Sequence, residues 1–352
     1  MLVRLLAAPL IFFALEALIF RTGVYLPYLE PFSTAGNLQG RLGDEEKRFY
    51  AGSYEVIAVG DSRMGLRARA ANQLTAETGY TFATIAIPGT TPRCWYYMLR
   101  EVDPHANRYS AVIIPVNDYD DSQDGAGRLL DLNYLVPILR YSDIPEFTLS
   151  FDNWKARWLA FRGSLLKGFF FKNDFQDFLV NYKPRMERLR WDRQNGAAAA
   201  YNGDWGARNV AGLSVDWKAG KILSYPSWMD ANKRQETNNI LLPAFTFSDG
   251  GTYDRKWFGK IIDRYRGTRT RIIFIQLPRG PFVRPWSLWP RRGPIRGFAA
   301  EGTILLADQH AFDSVERPDL FGDAMHMNQP GAERFSVLLA REVRRLLGPP
   351  SR

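Results

Sequence analysis

Apolar and polar positions along the chain fall into two regimes. The clearer one begins at Tyr54. Four apolar residues, Val56-Ile57-Ala58-Val59, read as a buried strand, and Gly60-Asp61 supplies turn chemistry before Ser62. The pattern then predicts a helix over 64–78, a strand over 82–87, a helix over 93–102 and a third strand over 111–116. Strand character returns at 271–276 and 303–306. An amphipathic helix over 333–347 closes the chain, with Phe335, Leu338, Leu339, Val343 and Leu346 along one side. Strands alternating with helices imply βαβ units, an α/β fold and a central parallel sheet, with functional groups expected at the carboxyl ends of the strands.

Elsewhere the alternation is absent. Residues 129–141, 147–180, 232–242 and 253–266 carry helical spacing, and 182–230 is a mixed polar stretch rich in Trp, Arg and Gly. The expectation is a largely helical insertion at about 125–250 within one domain spanning 51–347. Residues 5–20 are almost wholly apolar, bounded by Arg4 and Arg21 and interrupted by Pro9 and Glu16. A cleaved signal peptide lacks an obvious small-x-small site here, and Glu16 suits a buried helix. An uncleaved signal anchor or transmembrane helix over 1–26, with the rest of the chain outside the cytoplasm, fits best. The Pro-, Gly- and Glu-rich residues 27–50 read as a stalk.

Composition narrows the function classes. The chain has 352 residues, 46% of them hydrophobic, enough for a full core, and a net charge of +9. A basic balance suits nucleic acid, anionic glycans or an anionic membrane surface. No Arg/Lys block or zinc-finger pattern is present, so nucleic acid is not an expected partner. Cys94 is the single cysteine, which excludes an intramolecular disulfide and a cysteine-based zinc site. Residues 120–131 superficially match a calcium loop. Gly127 at the eighth place, Arg128 and the preceding strand favour a solvated acidic turn.

Candidate chemistry gathers at the predicted strand ends. Ser62 follows the first strand, Gly89 the second and Asn117 the third; Asp323-Ala324-Met325-His326 precedes the closing helix. A serine nucleophile needs a base, for which His326 is the natural candidate, and Asp323 in the same turn can orient its imidazole. The Ser62 and Gly89 N–H groups and the Asn117 amide could stabilise an oxyanion. Asp61 and Asp118 read as loop-shaping residues. The other candidate pair, Asp308 with His310, lacks a turn signal.

The order Gly60-Asp61-Ser62, Gly89, Asn117-Asp118 and Asp323-x-x-His326 resembles the SGNH (GDSL-type) hydrolase family, over roughly 54–120 and 270–347. Pro115 departs from it, standing where the third block usually has glycine. The resemblance implies a three-layer flavodoxin-like fold, a catalytic triad of Ser62, Asp323 and His326, and an oxyanion hole of Ser62, Gly89 and Asn117. With the N-terminal anchor, the chain looks like the membrane-anchored branch of the family. Members of that branch act as esterases or O-acyltransferases on acyl, often acetyl, esters of envelope or exported glycans, often beside a membrane-bound acyltransferase partner. No metal or organic cofactor is implied. Arg63, Arg284, Trp286 and Trp289 are candidate substrate-binding residues, because tryptophans stack on sugar rings and arginines pair with acidic glycans. A non-catalytic or partner-dependent glycan-binding scaffold that keeps the fold is the competing reading, and a cytosolic lipase is disfavoured by the anchor.

Overall fold

The structure is a computed structural model and describes residues 2–48, 54–120, 125–195, 206, 208–242, 251–283 and 293–350. In chain order come α1 (Leu2–Phe20), α2 (Thr34–Lys47), β1 (Tyr54–Ala58), α3 (Ala68–Asn72), α4 (Thr75–Thr78), β2 (Tyr80–Thr84), α5 (Pro92–Val102) and β3 (Ala111–Val116). The helices α6 (Leu130–Leu135), α7 (Ile144–Leu149), α8 (Trp154–Leu165), α9 (Lys167–Val180) and α10 (Tyr182–Asn195) follow. Next is a hairpin of β4 (Ser214–Asp216) and β5 (Lys221–Ser224). The chain ends with α11 (Ala231–Leu241), α12 (Gly251–Tyr265), β6 (Arg271–Gln276), α13 (Ile295–Ala300), β7 (Leu305–Leu306) and α14 (Gln329–Leu347).

The chain divides into two compact units. One comprises residues 50–96, 103–124 and 204–352 and is an α/β unit with a five-stranded parallel sheet in the order β2-β1-β3-β6-β7. The sheet reverses its direction of growth between β1 and β3, the place where open α/β sheets bind ligands. Central strands must be apolar on both faces, and β3 is buried at every position. Pro115 is tolerated in β3 because its ladder to β1 ends at Ala58↔Ile113, so the missing N–H lies beyond the last bond on that side. On α14, Phe335, Leu339 and Val343 are fully buried, and Phe312 packs on Phe335.

Several elements differ from the sequence expectation. The helix predicted over 64–78 is broken: a 3-10 turn, Ser62–Met64, ends at Gly65 in the left-handed conformation (φ 52°), and α3 starts only after an extended Arg67. The second strand is shorter than predicted, yet Ile85 and Ile87 still donate to the carbonyls of Ala58 and Gly60 at 3.0 and 2.9 Å. The 182–230 stretch, given no elements from sequence, contains α10 and the hairpin. Of the 125–250 segment, the part up to 203 belongs to the other unit and the remainder to the sheet unit.

That other unit gathers residues 1–49, 97–102 and 125–203. The segment read as a stalk contains α2, capped by Ser33 on the Gly36 N–H at 3.0 Å and burying Leu38 and Leu42. Their i, i+4 spacing was obscured by the surrounding glycines. The end of α1 packs on α9: Phe20 lies against Phe171 and Phe175, and buried Glu16 accepts from the Gly168 N–H in the first turn of α9 at 3.1 Å. A carboxylate at a helix N-terminus is favoured there, which accounts for an acid inside an apolar run. Arg185, 1% exposed, joins α10 to Glu30, Asp174 and Asp177. The expected membrane-spanning helix is not supported: among the described residues no helix is long and apolar enough to cross a membrane.

Candidate active site

The site lies in the sheet unit and starts with the turn that leaves β1. Val59 still donates to the Ile113 carbonyl at 3.1 Å; then the chain turns sharply at Gly60. Gly60 has φ +151°, and a Cβ there would lie 2.8 Å from both Met64 Cβ and Pro115 Cγ. Only glycine fits that approach. Asp61 caps the following 3-10 turn, accepting from the Arg63 N–H at 2.8 Å, which leaves the Ser62 side chain exposed.

The loop after β2 is tied to the same turn. Thr90 Oγ1 donates to the Gly60 carbonyl at 2.8 Å and accepts from Trp95 Nε1 at 2.9 Å. Gly89, with φ +76°, sits inside this tie. Asn117 stands just past β3. Among the described residues nothing accepts from the Ser62 N–H, the Gly89 N–H or the Asn117 amide nitrogen.

The histidine loop is held by short-range bonds. Gly322 donates to the His326 carbonyl at 2.9 Å, and Asn328 caps α14 through the Gly331 N–H at 3.0 Å. Asp323 Oδ1 accepts from the Met325 and His326 N–H groups at 2.8 and 2.7 Å, while its Oδ2 lies 2.8 Å from His326 Nδ1. On the far side of the ring, His326 Nε2 lies 2.8 Å from Ser62 Oγ across 264 residues of sequence. Burial pushes the Asp323 carboxyl upward, but the His326 hydrogen bond and charge and the two backbone donors outweigh it and hold it below the usual aspartate range. An ionised carboxylate only accepts, so Nδ1 carries the ring proton and Nε2 is left to accept from Ser62. The arrangement is a hydroxyl, a base aimed at it, and a buried acid that fixes the base.

Arg63, expected at the substrate, directs its guanidinium inward. It pairs with Asp61, with Nη2 2.6 Å from Oδ2, and its Nη1 donates to Asn117 Oδ1. Because guanidinium only donates, the Asn117 oxygen must face Arg63 and the NH2 must face away. Sequence reasoning missed this role. Arg63 beside Ser62 was visible, but its partner lies 54 positions on. The Thr90–Gly60 tie, 30 positions apart, was missed for the same reason. Asp118 accepts from the Asp120 N–H at 3.0 Å, the loop-shaping role read from sequence. His310 pairs with Asp313 at 2.8 Å and places its other nitrogen against Gln309, not against a hydroxyl. Arg284, Trp286 and Trp289 lie outside the described residues, as do four positions of the calcium-like stretch. Among the described residues no cluster of three or more His, Cys, Asp or Glu could hold a metal ion.

No protein-family model matches the chain, and no curated protein matches its sequence.

Proposed function

We propose that the protein is a membrane-attached, extracytoplasmic serine esterase or O-acyltransferase of the SGNH type, with a flavodoxin-like fold, acting on acyl esters, chiefly acetyl, of an envelope or exported glycan. The observation that carries the reading is the continuous relay from Ser62 Oγ to His326 Nε2 and from His326 Nδ1 to Asp323, each contact 2.8 Å. Ser62 Oγ attacks the ester carbonyl while its proton passes to His326 Nε2. The oxyanion is met by the Ser62 and Gly89 N–H groups and the Asn117 NH2. His326 returns the proton to the departing alkoxide, leaving an acyl-Ser62. Water or a sugar hydroxyl then attacks, giving its proton to His326, and Ser62 is released with a free carboxylic acid or a new ester. A membrane-bound acyl-transfer partner that delivers the acyl group belongs to the same reading.

Support for attachment comes from α1. Residues 8–15 are exposed on every side, with Leu10, Ile11, Phe12, Phe13 and Leu15 all more than half exposed. A helix apolar all round belongs in lipid or a core. The test is turnover of a chromogenic acetyl ester by full-length protein in detergent, with and without a polysaccharide acceptor. Ser62→Ala is expected to lower turnover about 10⁴-fold or more without changing the melting temperature; retained turnover would overturn the assignment. Acceptor-dependent loss of free acetate would mark transfer over hydrolysis.

A further inference from the structure

Helix α8 is amphipathic in the wrong sense for a water-soluble surface. Its buried face is made of Ala156, Ala160, Gly163 and Ser164, all small. Its outer face carries Trp154, Trp158, Phe161 and Leu165, exposed by 77, 47, 39 and 36%. These stand at i, i+4, i+7 and i+11, one stripe on a helix of 12 residues. Isolated exposed apolar side chains are ordinary; a contiguous stripe marks an interaction surface. Lys155, Arg157 and Arg162 flank it, and α8 contains no acidic residue.

The stripe is continuous with other apolar surface of the same unit. Arg162 lies over the Phe169 ring at 5.7 Å, and Phe169 in α9 is 54% exposed. Arg21, one residue past α1, donates to the carbonyls of Ser164 and Leu165, so the foot of α1 is fastened where α8 ends. Between α1 and α9 runs a groove of about 490 Å³ lined by Phe12, Leu15, Ile19, Phe169, Phe175 and Leu179. From these observations we propose that α8 lies in the headgroup layer of an anionic phospholipid bilayer, as a second membrane contact beside α1. Tryptophans favour that layer, where an apolar ring and a polar N–H are both accommodated. Flanking Lys and Arg side chains lay their stems on apolar surface and their charges on lipid phosphates. An apolar groove that meets the base of a protruding apolar helix suits an acyl chain. The inference adds to the attachment through α1 and is independent of the chemistry at Ser62.

The experiment places an environment-sensitive fluorophore on full-length protein reconstituted in phosphatidylethanolamine–phosphatidylglycerol vesicles. Reporters sit at Trp158→Cys, Phe161→Cys, Phe13→Cys in α1 and Gln235→Cys on an exposed face of α11; Cys94 is fully buried and does not compete for label. Each variant is checked for an unchanged melt, and positions 158 and 161 back each other up. Emission at 158 and 161 is expected to shift to the blue and to be quenched several-fold by lipid-borne nitroxide, less so in phosphatidylcholine alone, while position 235 is unaffected. Aqueous emission at 158 and 161 with a quenched reporter at 13 would overturn the α8 contact and leave attachment by α1 standing. Aqueous emission at all three would overturn both. Blue-shifted emission at 158 without lipid quenching would assign the stripe to a protein partner and overturn the proposal.

Discussion

Asn117 is held by the residue that follows the serine. The Arg63 guanidinium fixes the Asn117 oxygen, and that choice sets where the amide N–H groups point. Removing an oxyanion donor costs about 10²–10³ in kcat, and Asn117→Ala is expected to fall in that range. Arg63→Ala should lower kcat about tenfold or more with little change in KM. In the double variant the two losses should overlap, since Arg63 acts through Asn117; full additivity in a double-mutant cycle would contradict this. Asp323 carries a pH signature. Its carboxyl is held below its unfolded value of about 3.9, so the unfolded chain binds more protons in the window between the two values, and stability rises with pH there. The stabilisation is complete above about pH 5 and is lost as pH falls through the folded value. Asp323→Asn removes a charged hydrogen-bond acceptor, a loss of about 1.5–3 kcal/mol at pH 7, and thermal melts should show the gap closing as pH falls below about 4.

Among the elements, the site rests on one tight approach. The turn after β1 tolerates only glycine at position 60, wedged between Met64 and Pro115. Gly60→Ala should destabilise the fold by about 1–3 kcal/mol and reduce turnover, read by denaturant titration beside an activity assay. Much of this was legible in the chain. The apolar runs at β3 and β6 have no competing period, and their ends coincide with the prediction. Gly-Asp-Ser, Asn117 and Asp-x-x-His are local signals whose meeting follows once the strands are parallel and ordered. Other features were hidden for physical reasons. The helix expected after Ser62 is interrupted because Gly65 takes a left-handed conformation, which composition does not announce. Helix α10 has no apolar face to read; buried Arg185 and its three carboxylates hold it, and such partners are remote in sequence. Helix α2 was masked by glycines that permit close packing, as at Gly36, where a Cβ would lie 2.0 Å from the Glu30 carbonyl oxygen.

For the whole molecule, the two units carry different features. The sheet unit holds the proposed chemistry, and the helical unit carries the exposed apolar surfaces of α1 and α8. Two kinds of contact predict two salt responses. The intact chain should stay in the membrane pellet through a high-salt wash, since apolar burial is insensitive to screening. With Leu10→Glu and Phe13→Glu, the remaining contact rests partly on the basic flank of α8, and salt should release the chain. A double variant that stays in the high-salt pellet would contradict that division. Whether Ser62 is an activated nucleophile can be read before any substrate is known, by labelling the full-length protein in detergent with a fluorophosphonate probe. Stoichiometric labelling is expected of the wild type, and none of Ser62→Ala or His326→Ala at unchanged melting temperature. A folded wild type that takes no label, or a Ser62→Ala variant that labels as well, would contradict it.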